Sequence, residues 1–240
     1  MKLSFVIVNY QSEKYLVRCL FSIKKKVLGM DYEVIVINNS RSNIRHSNGI
    51  KVINSDKNIG FGAACNLGAR SAQGEWLCFL NPDTEIISSD IKKLLDEFHK
   101  NNKLAIIGPR LTDDKNRTKK WIAGKEITII SILLNNFSHE RDKKIWESPA
   151  SVDCDWVTGA AMFVSRNIFN QLGGFDEQFF MYFEDIDICK RARRSGYKIL
   201  YFPSFQVKHL GGKSFSDKKK QKTCYYKSQF KYFKKQVLGL

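Results

Sequence analysis

The sequence predicts an α/β fold, a parallel sheet covered by helices on both faces. Three observations predict it. Short β-branched apolar runs alternate with segments whose apolar residues recur at helical spacing. The second and fourth strand signals stop at polar loops of the kind that end buried strands, Asn38-Asn39-Ser40 and Asn81-Pro82-Asp83-Thr84. Hydrophobic residues make up 43% of the 240, enough to build a core and to set disorder aside.

The elements follow in order. Residues 3–8 are an apolar run that fits a buried strand. Leu16, Leu20, Ile23 and Val27 then share one helical face, with Ser12 as the N-cap. Residues 34–37 read as a second strand and Val52-Ile53 as a short third. The turn Asn58-Ile59-Gly60-Phe61-Gly62 leads into a helix that runs to about Ser71, and residues 76–80 form a fourth strand. A helix with Ile91, Leu94, Leu95 and Phe98 on one face comes next. Residues 110–153 are less periodic, with a charged loop at 113–120 and an apolar run at 127–134, and are expected to shape the acceptor side of a site. Beyond them, residues 156–164 enclose Thr158-Gly159-Ala160-Ala161-Met162, a short helix leads to Gly173-Gly174-Phe175-Asp176, and an aromatic–acidic stretch covers residues 179–187. The helix after it carries Arg191, Arg193 and Arg194 and stops at Gly196. Residues 198–202 and 205–209 read as two strands separated by Pro203.

Composition narrows the function. No apolar run approaches the roughly 18 residues that span a bilayer, and no small-residue cleavage site follows the short apolar start, so a cytoplasmic location is expected. None of the six cysteines forms a CxxC pair, which favours buried reduced thiols over a zinc ribbon. Lys plus Arg total 40 against 24 Asp plus Glu, a net +16 that calls for an anionic partner. Half of that excess lies in residues 213–240, where nine lysines face one acid, Asp217. There Tyr226, Phe230, Phe233 and Val237 fall on one helical face, the pattern either of a basic amphipathic helix at an anionic membrane surface or of a helix that packs its aromatic face onto the domain. The chain therefore divides into a domain of residues 1–212 and a basic amphipathic tail of residues 213–240. A nucleic-acid partner is disfavoured because Glu184, Asp185 and Asp187 would repel it.

Ligands of such sheets sit beyond the carboxyl ends of the strands, where Asn38, Asn39 and Asp83 fall. Magnesium commonly takes one or two protein carboxylates and completes its shell with substrate phosphates, so Asp83 alone is a sufficient anchor. Glu184, Asp185 and Asp187 place three carboxylates within four residues. Acids at a helix start offset its dipole, but the flanking Phe179, Phe180, Tyr182 and Phe183 add an apolar wall of the kind that tunes a general base. His209 precedes Gly211-Gly212 and is a possible ligand by residue type.

With those residues laid out, the chain resembles family 2 of the inverting glycosyltransferases, and within it the bacterial rhamnosyltransferases of O-antigen and related polysaccharide assembly. The resemblance is carried by FVIVNYQSEKYLVRCLFSI, EVIVINNS, NIGFGAACNLG, FLNPDTEI, WVTGAAMFVSR and GGFDEQFFMYFEDIDICKRARRSGYKILYFPSFQVKHLGGKSF. It implies the GT-A fold, a Rossmann-like mixed sheet flanked by helices, with the basic helical tail appended. It implies a nucleotide-sugar donor, held by Val8, Asn9, Tyr10, Asn38, Asn39, Asn58, Gly60, Phe61, Asn66, Asn81 and Asp83. Asp185 matches the family's catalytic base, with Glu184 beside it contacting the acceptor. Asp187, Arg191, Trp156 and Gly159 fall on the acceptor side. A divalent cation, Mg2+ or Mn2+, is implied at Asp83, with His209 near it or near the diphosphate. The implied acceptor is a lipid-linked saccharide, used at the inner face of the cell membrane. The chain departs from the family at two points. Asn38 stands where the family usually has Asp, and the acidic motif keeps only its last carboxylate, with Asn81 in front.

Overall fold

The structure, a computed structural model, describes residues 2–40, 44, 49–128, 131, 135–211 and 218–238. Most of the apolar run at 127–134 and the start of the basic tail, residues 213–217, lie outside the described residues, as does Gly212.

The elements are β1 (Lys2–Asn9), α1 (Glu13–Lys26), β2 (Asp31–Asn38), β3 (Ile50–Asn54), α2 (Phe61–Arg70), β4 (Trp76–Leu80), β5 (Thr84–Ile86), α3 (Ile91–Lys100), β6 (Leu104–Thr112), β7 (Ala123–Gly124), α4 (Asn135–Trp146), β8 (Val152–Cys154), β9 (Trp156–Val157), β10 (Ala161–Ser165), α5 (Arg166–Gln171), α6 (Glu184–Arg194), β11 (Lys198–His209) and α7 (Lys218–Val237). The main sheet runs β3-β2-β1-β4-β10-β6-β11-β5, with β8 added beside β11. Its first four strands are parallel, as the alternation of strands and helices predicts. β10 then runs antiparallel between β4 and β6, so the sheet is mixed rather than wholly parallel. An apolar run carries no direction of its own. The chain enters β10 from Gly159-Ala160, at the edge where β4 ends, and so must run back along it.

The two expected strands around Pro203 are one. β11 continues from Lys198 to His209 and absorbs the proline in a register shift between Phe202 and Gln206. A bulge is one of the few places where a strand tolerates a residue without an N–H. The core lies on both faces of the sheet: Phe5, Ile7, Ile35, Ile37, Phe79, Ile106, Phe163 and Tyr201 are buried, as are Leu16 and Ile23 of α1 and Leu94 and Leu95 of α3. Cys19, Cys65, Cys78, Cys154 and Cys189 are free thiols within that core, and Cys224 is half-buried.

α7 lies against the domain. Tyr232 is 1% exposed and packs on Phe183, with ring centroids 5.3 Å apart. Ser228 Oγ donates to the Met181 carbonyl at 2.7 Å, and Gln221 Nε2 to the Tyr182 hydroxyl at 2.9 Å. Lys235 Nζ sits 2.7 Å from both Asp176 and Asp187. The docked face is thus Gln221, Ser228, Tyr232 and Lys235. Tyr226, Phe230 and Val237 of the aromatic stripe point outward, 62%, 71% and 75% exposed, while Phe233 is half-buried beside Tyr232.

Candidate active site

Five chain segments converge at one edge of the sheet. β1, β2 and β4 bring their carboxyl ends there, β10 its start, and β11 its last residue. The backbone locks them in place: Asn81 N–H donates to Ala160 O at 2.9 Å, and Leu210 N–H to Asp83 O at 3.0 Å. His209 pairs with Thr84 in the β11–β5 ladder, which sets its ring beside the tip of β4. His209 Nε2 lies 3.4 Å from Asp83 Oδ1.

A pocket of about 560 Å³ occupies one side of this edge. Val8 and Tyr10 from the end of β1, Asn39, Asn58, Gly60, Asn81 and Pro82 line it. The amide of Asn39 organises its wall, with Nδ2 donating to Asn58 Oδ1 at 2.9 Å and Oδ1 accepting from Ile59 N–H at 3.0 Å. Gly60 is at φ +90°, and a Cβ there would lie 2.5 Å from the Phe180 carbonyl oxygen. Only glycine fits this close approach. Phe61 N–H donates to that same oxygen at 2.8 Å.

A second cavity, of about 640 Å³, adjoins the first at Phe61, Asn81 and Met181. Asp83, His209, Glu184, Asp185, Trp156, Thr158 and Gly159 line it. The acidic pair arrives there through a forced turn, since Tyr182 and Phe183 both have φ +69° immediately before α6. Left-handed backbone at a non-glycine residue costs about 1–3 kcal/mol and persists only where packing over-determines it. Burial of Phe183 against Tyr225 and Tyr232 of α7 supplies that packing. Asp185 Oδ2 accepts from Gly159 N–H at 2.8 Å and Oδ1 from Ile186 N–H at 2.9 Å.

The carboxylates differ in proton affinity. Burial pushes Asp83 up, but hydrogen bonding and charge from His209, with backbone donors, outweigh it and hold the group below its ordinary value. Burial raises Asp185, and its backbone hydrogen bonds only partly offset the rise. Burial and the neighbouring Asp185 charge push Glu184 well up, and its Oε2 is buried without a hydrogen-bond partner. Both acids of the pair are thus driven toward their protonated forms, Glu184 by burial and by the charge beside it, Asp185 by burial.

The structure brings most of the expected residues together and sets others apart. Val8, Tyr10, Asn39, Asn58, Gly60, Phe61 and Asn81 line the first pocket, whereas Asp83 faces the second. Asn9 and Asn38 are buried beneath the pocket, joined to each other at 3.3 Å, with Asn38 also donating to Asn54 at 2.9 Å. Asn66 is a brace: its amide clasps the Phe175 backbone at 2.8 Å in both directions. Asp187 and Arg191, expected on the acceptor side, line neither large cavity. Arg191 donates to Asp187 and to the carbonyls of Leu172 and Gly174, and Asp187 also receives Lys235. Their charges tie the 172–176 loop and α7 to α6. Sequence reasoning passed over Trp121, Arg141 and Asp142 individually, although it placed their region on the acceptor side, and over Tyr225 and Gln221 of α7. The tryptophan and the tyrosine are the kind of flat apolar surface on which a ring can stack.

Among the described residues, no group of three or more His, Cys, Asp or Glu converges as a metal cage. The pair Asp83 and His209 still fits a divalent cation that keeps few protein ligands, because an ionised carboxylate and an imidazole nitrogen face one cavity.

The sequence profile described as Glycosyl transferase family 2 matches residues 4–169. Among relatives, the chain is 31% identical to the low-salt glycan biosynthesis hexosyltransferase Agl10 of Haloferax volcanii over 82% of this chain and 63% of that one. It is 25% identical to an N-acetylglucosaminyl-diphospho-decaprenol L-rhamnosyltransferase of Mycobacterium tuberculosis, over 67% of this chain and 58% of that one. It is 26% identical to the rhamnosyltransferase WbbL of Escherichia coli K12, over 98% and 94%. The chain thus spans about three fifths of the length of the first two. Among solved structures, it superposes on GalNAc-T7 with UDP, GalNAc and Mn2+ at a TM-score of 0.67 and 18% identity, covering 90% of this chain and 44% of that one. TarS of S. aureus, residues 1–349, gives 0.58 and 16%, covering 88% and 60%. The shared fold is the GT-A fold.

Proposed function

The chain belongs to glycosyl transferase family 2, and on that premise we propose that it is an inverting glycosyltransferase acting on a nucleotide-sugar donor and a lipid-linked saccharide. The observation that carries this reading is that Asp83 and Asp185 line one cavity, which opens at Asn81 and Phe61 into a second, amide-walled pocket. The nucleotide occupies the pocket of Val8, Tyr10, Asn39 and Asn58, and its sugar reaches past Asn81 into the cavity. The acceptor hydroxyl approaches Asp185 from the aromatic side. Its oxygen attacks the anomeric carbon as the bond from that carbon to the diphosphate oxygen breaks. The proton passes to Asp185, and the diphosphate leaves with the electron pair. Asp185, fixed by the Gly159 and Ile186 N–H groups, is oriented for this and has a raised proton affinity suited to a base. A divalent cation held by Asp83 and His209 would offset charge on the departing diphosphate.

The donor proposed is dTDP-L-rhamnose. Two relatives are named rhamnosyltransferases, one of them for a diphospho-decaprenol acceptor, which supports both rhamnose and a lipid-linked acceptor of a surface polysaccharide. Similarity to a hexosyltransferase keeps UDP-sugars such as UDP-N-acetylglucosamine and UDP-galactose as the alternative donors. A panel of dTDP- and UDP-sugars with a polyprenyl-diphosphate saccharide and Mg2+ or Mn2+ tests this. Release of nucleoside diphosphate with inverted product configuration, read by NMR, is expected. Failure of every donor would overturn the reading.

No described helix is long and apolar enough to cross a membrane. A peripheral site of work at the inner face of the membrane is supported by the outward stripe Tyr226, Phe230 and Val237 and by the exposed Lys222, Lys227 and Lys234. Since α7 also packs on the domain, deleting it would confuse two effects. Tyr226→Ser with Phe230→Ser in the full chain should abolish flotation with anionic vesicles, and retained flotation would rule out this contact.

A further inference from the structure

The basic segment faces the donor pocket as well as solvent. Lys219, Lys220, Thr223 and Cys224, from the first turns of α7, line the same pocket as Asn39, Asn58 and Asn81. Among the described residues, those around this pocket include two cations and no carboxylate. The other polar side chains on its wall are amides, hydroxyls and the Cys224 thiol. Such a pocket favours an anion, and a nucleoside diphosphate is an anion of about the right size for some 560 Å³.

The placement of these lysines is built into the fold. The next residue, Gln221, holds the Tyr182 hydroxyl, and about two turns further along Ser228 holds the Met181 carbonyl. Tyr225 packs on Tyr182 and Phe183, with ring centroids 5.8 and 5.4 Å away. Phe180 and Met181, from the segment α7 grips, form the pocket's facing rim. The charge balance at the tip of β4 needs further positive charge. Asn81 and Asp83 leave a single carboxylate for a cation, and that carboxylate faces the neighbouring cavity, while the lysines face the pocket itself. A diphosphate carries two or three negative charges, more than a divalent cation on one carboxylate neutralises.

We propose that Lys219 and Lys220 are donor-binding residues that contact the diphosphate of the nucleotide-sugar, making α7 a wall of the donor site. The proposal rests on the nucleotide-sugar reading above and adds residues to that site.

The experiment is calorimetric titration of the full chain with dTDP and UDP, in EDTA and again with Mn2+. Thermal melting checks that each variant is folded. Lys219→Gln with Lys220→Gln should raise Kd for the tighter nucleotide at least tenfold in EDTA, a charge-assisted hydrogen bond being worth about that much. It should leave the weak binding of thymidine or uridine unchanged, because a nucleoside offers no phosphate. Lys219→Arg with Lys220→Arg should restore most of the affinity. Lys24→Gln with Lys25→Gln, on the distant α1, should have no effect. Wild-type binding of neither nucleotide would overturn the nucleotide-sugar reading and this proposal together. Wild-type binding with an unchanged Kd in the double glutamine variant would overturn only the lysine assignment. Loss of flotation with anionic vesicles in that variant, with nucleotide affinity intact, would likewise overturn it by assigning the lysines to the membrane.

Discussion

Two carboxylates face one cavity and are driven in opposite directions. Asp83, at the tip of β4, has an imidazole beside it and is held low. Asp185, at the start of α6, has the Gly159 and Ile186 N–H groups and the Thr158 side chain as partners, and burial drives it up in spite of them. Environment thus divides the labour between two residues of the same type. The low group stays ionised and suits a cation, and the raised group suits proton transfer.

Asp185→Asn attacks the raised side and should have the largest effect. Turnover should fall about 10²–10⁴-fold, the usual value of a general base, with nucleoside diphosphate affinity nearly unchanged. Near-native turnover would remove Asp185 from the chemistry. Asp83→Asn attacks the low side. Loss of a cation anchor should cost roughly 100-fold and abolish stimulation by Mg2+ or Mn2+, which a metal titration of initial rates reads out. His209→Ala should act on Asp83 at one remove and cost about tenfold, shifting the cation concentration for half-maximal rate upward.

pH sharpens the contrast. A base must be ionised, so kcat/KM should fall as pH drops through the raised Asp185 value. The acidic limb should therefore lie above the ordinary aspartate value of about 3.9, and a limb at or below it would contradict the assignment. The smallest effect concerns stability. The folded state raises the Glu184 pKa above its unfolded value. Its contribution to stability is therefore fully present below the unfolded value and is lost as pH rises through the folded one. Glu184→Gln should match the wild type in melting temperature near pH 4. At neutral pH it should melt a few degrees higher, since about 1 kcal/mol moves a chain of this size by about 2–4 °C. A pH-independent difference would show that Glu184 is not held neutral.

The parallel half of the sheet was legible because its strands are short continuous apolar runs and each intervening helix carries a clear face. Asp83 stands out because it follows the end of a buried strand, and Asp185 because it is among three carboxylates within four residues beside an aromatic run. The direction of β10 and the continuity of β11 through Pro203 were not legible, since neither strand polarity nor a bulge leaves a mark in hydrophobic spacing. The family resemblance places Asp187 and Arg191 on the acceptor side. Their partners Leu172, Gly174 and Lys235 stand far along the chain, and only folding reveals that the charges are already engaged. Which face of the tail docks was not legible either. The aromatic stripe is the pattern that spacing picks out, yet three of its four residues point outward, and the face against the domain carries a serine, a glutamine and a lysine that each find an acceptor there.

Gly60 and Phe180 touch through the backbone alone, the hydrogen bond from Phe61 N–H closing a contact that leaves no space for a side chain. The turn that walls the first pocket and the segment that leads into α6 are thereby pinned together at one point, so a shift of either backbone has to be shared by the other.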